Sequence, residues 1–224
     1  GWDVTDAMYG GTSNSGTKTV YARFRDGAGN ISNAVTASFN FSNPTPATIP
    51  FSDSFASSTF GSSWVTNSTA NGRIRLSTSN TPSSTPRHVL MDSSSGFALN
   101  ELILCLDLSM SSDLVLTFDA KEFSDEANNL PTSFTGSANG DGVSVSDDGI
   151  TWYRVAGLTA LSSTYQTQTV NLSQFIANNT NLSATSRFFI KFSQYDDFPI
   201  STDGIALDDI SVAAQDTTPP TGTI

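Results

Sequence analysis

The chain contains one cysteine, Cys105, so no internal disulfide can form and paired cysteine ligands for zinc are excluded. A eukaryotic secreted module would be expected to carry disulfides; a chain of extracellular composition without them points to bacteria. No apolar run approaches the about 20 residues of a membrane span, which excludes insertion as a helix. No signal-peptide pattern opens the chain, so secretion is inferred from the type of module, with any signal placed upstream. Basic residues are also scarce: 10 Lys and Arg stand against 21 Asp and Glu, for a formal net charge of −11. A surface of that sign repels phosphate backbones and anionic lipid, which argues against nucleic-acid or membrane binding. It suits capture of divalent cations, or is simply a solvated acidic surface.

Glutamate is nearly absent, occurring only at Glu101, Glu122 and Glu126. A helical protein of 224 residues would carry more Glu and Lys than the 14% total of charged residues found here. What is present is Ser, Thr, Asn and Gly, with 15 Phe as the main large apolar residue. That mixture favours short strands joined by turns, so the fold class expected is all-β.

Chemistry finds little purchase. His88 is the only histidine and lies between Arg87 and Val89 in an expected strand. Nothing around it resembles a nucleophile elbow, and a triad is recognised by geometry rather than by the presence of Ser and Asp. Glu122, Asp125 and Glu126 cluster beside a long loop, as on any solvated loop edge, without marking a glycosidase pair. The chain is therefore expected not to be an enzyme.

Three regions are distinguishable. In residues 1–41, Val20, Ala22 and Phe24 alternate with Tyr21, Arg23 and Arg25. Asp26-Gly27-Ala28-Gly29-Asn30 turns the chain, and a second apolar run, Ala34 to Phe41, completes a hairpin. The wording from Val20 to Ser32 resembles the closing hairpin of bacterial immunoglobulin-like repeats, which implies the C-terminal half of such a domain. Residues 42–50 carry Pro44, Pro46 and Pro50 and are expected to be a linker without regular pairing. Residues 214–224 resemble a linker and the opening strand of a following repeat, Thr217 to Ile224 being a candidate donor for self-association by strand addition.

Residues 51–213 read as one domain. Strands are expected at Phe51 to Ala56, around Ile74 and Leu76, from Leu102 to Leu108, and from Leu114 to Lys121. Others follow at Val143–Val145, Ile150 to Val155, Gln166 to Leu172, Arg187 to Tyr195 and Ile205 to Val212. Two packed antiparallel sheets follow from this pattern, with Leu102, Leu104, Leu106, Leu114, Leu116, Phe118, Ile190 and Phe192 inside. Only Ser173 to Asn178 reads as helical. Ser124 to Asp141 is a long Asn-, Ser- and Gly-rich loop of the size often given to function.

The closing string Thr202-Asp203-Gly204-Ile205-Ala206-Leu207-Asp208-Asp209-Ile210-Ser211-Val212 resembles the last strand of MAM domains and related jelly rolls. The opening Phe51-Ser52-Asp53-Ser54-Phe55, then Phe60-Gly61 and Trp64, is similar to their first strand. The resemblance implies an antiparallel jelly-roll β-sandwich whose first and last strands are neighbours tied by calcium. Alternation puts Asp208 on one face with Ala206, Ile210 and Val212, where an unpaired carboxylate is costly. Calcium ligands are thus expected among Asp53, Asp208, Asp209 and Asp119, although Ala56 follows Phe55 where the family often has Glu. Otherwise Asp208 pairs with an arginine or accepts from backbone amides.

Ser146-Asp147-Asp148-Gly149-Ile150-Thr151-Trp152 resembles one Asp-box of sialidase-like propellers. A propeller needs such a turn in several blades, so a single copy predicts a hairpin turn with a core Trp. For a sugar ligand, Tyr153, Tyr165, Tyr195 and Phe198, with Phe134, lie in or near expected loops, and one of Trp152 and Tyr153 should face outward. The function expected is a secreted or cell-surface recognition or adhesion module, binding a glycan or an extracellular protein and stabilised by calcium. The alternatives are a spacer or subunit of an extracellular fibre or layer, and an accessory domain of a secreted hydrolase.

Overall fold

The computed structural model describes Val4 and residues 7–12, 14–198 and 203–215. The expected donor strand Thr217 to Ile224 lies outside the described residues, as does Thr202 of the closing string. The chain divides into two compact units at Pro44/Thr45.

The first unit is a hairpin of β1 (Gly16–Ala22) and β2 (Val35–Phe41). Its register pairs Lys18 with Phe39, Val20 with Ala37 and Ala22 with Val35, which collects the expected apolar stripe on one face. Asp26 builds the connecting turn, its carboxylate accepting from the amides of Ala28 and Asn30 at 3.0 and 2.8 Å.

The second unit is an antiparallel two-sheet sandwich. Its strands begin with β3 (Phe51–Asp53), β4 (Trp64–Ser68), β5 (Gly72–Ser77) and β6 (His88–Ser93). Next come β7 (Ala98–Leu106), β8 (Leu114–Glu122), β9 (Ser133–Thr135) and β10 (Gly142–Ser146). β11 (Thr151–Gly157), β12 (Gln166–Asn171), β13 (Phe188–Asp196) and β14 (Ile205–Ala214) complete them. One sheet has the order β4-β7-β13-β10-β11-β9; the other runs β12-β8-β14-β6-β5, with β3 against β14. From β6 to β7 to β8, and again from β11 through β14, the chain crosses between sheets in jelly-roll fashion. The helix α1 (Leu172–Asn178) is capped by Asn171, whose side chain accepts from the Gln174 amide.

The eight core residues expected from alternation are all at most 1% exposed and lie in one apolar cluster. Leu102, Leu104, Phe192, Ile190, Val143 and Val145 from one sheet meet Leu114, Leu116, Phe118, Met91 and Leu207 from the other. Phe118 and Phe192 meet edge to face across the interface, with centroids 5.2 Å apart.

Three sequence expectations are corrected. The Pro-spaced linker does pair: Ala47 bridges to Leu106, its amide donating to the Cys105 carbonyl and its carbonyl accepting from Asp107. Pro46 precedes the bridge and has no N–H to give, so the donor is Ala47, the next residue that keeps one. The first strand is shorter than expected and ends at Asp53. Finally, β14 does not alternate throughout. A bulge between Asp208 and Ser211, with Asp209 at φ +47°, shifts the register at the point where its neighbour changes from β6 to β3. Ile205, Leu207, Ile210 and Val212 thus all reach the core, while Ala206 and Asp208 face the opposite side.

Candidate functional site

The bulge decides where the expected calcium ligands go. Asp208 is buried, but on the outer face of its sheet, beneath the 78–87 loop. Its carboxylate accepts from the Ser84 amide at 2.9 Å, the Ser84 hydroxyl at 3.4 Å and the Asp209 amide at 2.9 Å. Burial holds its carboxyl above the ordinary range, and these amides partly offset that. Asp119 is directly opposite in the β8–β14 register and accepts from Ser83 Oγ at 2.5 Å and Thr167 Oγ1 at 2.6 Å. Both aspartates thus anchor the loop. Asp53 is turned elsewhere, accepting from the Trp64 indole at 2.9 Å and the Phe55 amide at 2.8 Å. It shares a shallow cleft with Asp209, Ser52, Ser54, Ser57 and Ser211. The four residues therefore split into two pairs and do not converge on one point.

The expected ligand aromatics also separate. Tyr165 is half-buried, its hydroxyl bonded to His88 Nδ1 and its ring under Lys121 Nζ at 4.3 Å. Tyr153 packs against the sandwich core, and Trp152 takes the other face of β11. Trp152 does not face solvent there, because the long loop covers that side of the sheet. Lys191 Nζ lies 4.0 Å from its ring centroid and Phe134 closes over the same ammonium at 5.5 Å. The Asp-box string is a hairpin turn: Asp148 accepts from the amides of Ile150 and Thr151, and Gly149 takes φ +72°. Tyr195 is half-buried, and its backbone binds Asp141 and Asn128. Phe198 alone of the four candidates stands well into solvent, 64% exposed.

Phe198 belongs to an end of the sandwich whose importance the sequence reading missed. The inward-facing parity of β13 runs Phe188, Ile190, Phe192, Gln194, Asp196, so the apolar interior turns polar at that end. β7 does the same at Asn100, which donates to Gln194 Oε1 at 2.8 Å and to the Asp92 carbonyl at 3.0 Å. The neighbouring strand ends contribute Asp141 before β10 and Asp203 before β14, both buried. Asp141 accepts from the Tyr195 and Asn128 amides at 2.8 Å each. The β8–β9 connection adds Asp125, which accepts from Gln194 Nε2 at 2.8 Å, and Glu126.

Glu126, Asp196 and Asp203 bring one carboxylate oxygen each within 4.8 Å of one another, the one such cluster among the described residues. Burial pushes Asp125 up to about 8, with Asp141 adding to it. Burial raises Asp141 to about 7 against the pull of its two amides. Glu126 and Asp196 are raised as well, burial again leading. The signal that could have found Asp196 was the one applied to Asp208: a carboxylate at the inward parity of an apolar strand.

The chain matches no family model and no curated protein sequence. Solved structures similar to it include a family 61 carbohydrate-binding module in complex with β-1,4-galactotriose, 14% identical. That match covers 68% of this chain and 88% of the other, with a TM-score of 0.43. The family 30 carbohydrate-binding module of a cellulosomal cellulase of Clostridium thermocellum is 14% identical over 69% and 93%, with a TM-score of 0.46. The K1 cleaved adhesin domain of Lys-gingipain from Porphyromonas gingivalis is 14% identical over 74% and 98%, with a TM-score of 0.44.

Proposed function

We propose that the sandwich is a non-catalytic, glycan-binding recognition module of a secreted or surface-attached modular protein. The observation that carries the reading is a pair of phenylalanines at the polar end, Phe97 at 63% and Phe198 at 64% exposure. β7 and β13 pair Ala98 with Asp196, so the two rings sit on adjacent strand ends. Large apolar rings left in water on neighbouring strand ends have no role in the core and suit a ligand with its own flat apolar face, as a pyranose has. Carboxylates and amides beside them accept from and donate to sugar hydroxyls. The MAM-like opening and closing strings, the immunoglobulin-like hairpin and a stabilising calcium ion belong to the same proposal.

The test is a glycan array followed by calorimetry in calcium buffer. Phe97→Ala and Phe198→Ala should each weaken binding about tenfold, the loss expected for one stacking ring. The melting temperature should not change, since neither side chain is buried. No binding across a broad array, or affinity untouched by both substitutions, would overturn the reading.

A second reading, spacer or fibre subunit, has its own support in the hairpin. Phe24, Val35 and Phe39 are 67, 59 and 41% exposed there, and a two-stranded hairpin is marginal alone in water. Light scattering on the chain should then show concentration-dependent assembly that is lost on Phe39→Ser. A monomer at every concentration would end it.

A further inference from the structure

We infer that Glu126, Asp196 and Asp203 form a calcium site inside the polar end of the sandwich, distinct from the Asp53 and Asp208 positions. The three come from separate segments: the β8–β9 connection, the last residue of β13, and the approach to β14. The fold, not local sequence, brings their oxygens within 4.8 Å of one another. Two ligands on opposite sides of a calcium ion, at about 2.3–2.6 Å each, span that distance, whereas magnesium at about 2.0–2.1 Å draws them closer. The donors are all hard oxygens, with neither His nor Cys among them, which suits calcium and not zinc.

Proximity alone would be an acidic patch. What points to a ligand is Asp196, which is fully buried with neither carboxylate oxygen hydrogen-bonded. The Ser93 and Phe198 amides turn towards it and offset only part of the burial. The charges weighing most on it are Asp197 and Asp92, both of its own sign. The described ion pairs of the unit are spent elsewhere, Arg73 and Arg75 on Asp92 and Lys191 on Glu101. A buried carboxylate needs a counter-charge or a proton. A divalent cation supplies the first to Asp196, with Glu126 and Asp203 as further oxygen ligands, and leaves coordination positions for main-chain carbonyls and water. It would tie the long β8–β9 loop to the β13–β14 connection, next to Phe198. The rival is a shared proton, with one or two of the acids neutral.

The experiment is calcium titration of the full chain by calorimetry, with melting temperatures in calcium, magnesium and chelator. One calcium should bind per chain and raise the melting temperature over magnesium or chelator. Asp196→Asn should weaken calcium about tenfold or more by removing one of three charged ligands, and should abolish the thermal gain. Glu126→Gln, at a half-exposed position less tied to folding, should weaken it similarly and serves if Asp196→Asn does not fold. Asp208→Asn should lower the melting temperature equally with and without calcium, as befits a loop anchor. A wild type indifferent to calcium but stabilised by acid would establish the shared proton and overturn the site. So would a calcium response that survives Asp196→Asn or Glu126→Gln, or one lost in Asp208→Asn. The site stands apart from the glycan reading: a protein that binds calcium and no sugar keeps it.

Discussion

Glu101→Ala should destabilise the sandwich by about 3–5 kcal/mol, the cost of leaving one half of a buried ion pair alone. Lys191 Nζ donates to Glu101 Oε1 at 2.7 Å and to the Gly136 carbonyl at 2.8 Å. The two side chains are 2% and 6% exposed, and the ammonium is stacked between Trp152 and Phe134. Ser137 Oγ donates to the other Glu101 oxygen at 3.0 Å, so the acceptor is held from both sides. Burial already depresses Lys191 below the ordinary lysine range, and the Glu101 charge is what opposes it. Without Glu101 the ammonium must either stay unpaired in the interior or lose its proton. The loop that carries Gly136 and Phe134 would loosen with it. Urea unfolding of the wild type, Glu101→Ala, Lys191→Met and the Glu101→Leu/Lys191→Met double variant measures this. The double variant should recover much of the loss, because it leaves no unpaired charge. A Glu101→Ala cost below about 1 kcal/mol would mean that the pair is solvated like a surface bridge.

That ion pair also marks a limit on what period-two patterning could reveal. Leu102, Leu104 and Leu106 were legible as one buried face because every second residue is apolar. The pattern then assigns Glu101, Ile103 and Cys105 to solvent. In the structure Glu101 is 5% exposed and Cys105 not at all. Over Glu101 the cover arrives from the β9–β10 loop, where Ser137 donates to its carboxylate from dozens of positions away. Strand alternation carries no information on such a second layer. Trp152 and Tyr153 show the same blindness: their opposition was legible, but not that a loop would cover the Trp while the Tyr faced the core.

The site divides in the same way. Asp208 was correctly singled out as a carboxylate at risk of burial. Counting along an unbroken ladder put it on the core face with Ile210, whereas one residue of bulge at Asp209 carries it to the other side. Bulges are set by a change of strand partner, here β6 to β3, which lies outside the local string. Asp196, by contrast, was within reach. It continues Phe188, Ile190, Phe192 and Gln194 at strict alternation. Only its convergence with Glu126 and Asp203 required the fold. Phe97 was hidden in a Ser- and Gly-rich turn that reads as solvent-exposed whatever its role.

Stability should fall as the pH is lowered from about 6.5 to about 4, by about 3 kcal/mol from His88 alone. His88 lies on β6 with no exposed surface, its Nδ1 on the Tyr165 hydroxyl and its Nε2 without a hydrogen-bond partner. The cation facing it is Lys121 of β8, held by the Asn80 and Thr81 carbonyls over the Tyr165 ring. The anions Asp119 and Asp208 act on the same tyrosine from beyond it. Burial pushes the imidazole down to about 4, and Lys121 adds to the depression. The unfolded chain therefore takes up a proton near pH 6.5 that the folded chain refuses until about pH 4. Between those values protonation favours unfolding, so the contribution is complete above pH 6.5 and is lost as pH falls through the folded value. Other groups titrate in the same window, so the measurement is a difference. Urea unfolding at pH 7.0, 5.5 and 4.0 should show the wild type losing about 3 kcal/mol more than His88→Gln, which keeps a polar partner for Tyr165 but takes no proton. Imidazole resonances followed by NMR should stay neutral through pH 5 in the folded protein. Parallel stability profiles for the two proteins, or an imidazole titrating near its ordinary 6.5, would show that water reaches His88 and that the 78–87 loop does not seal the face it covers.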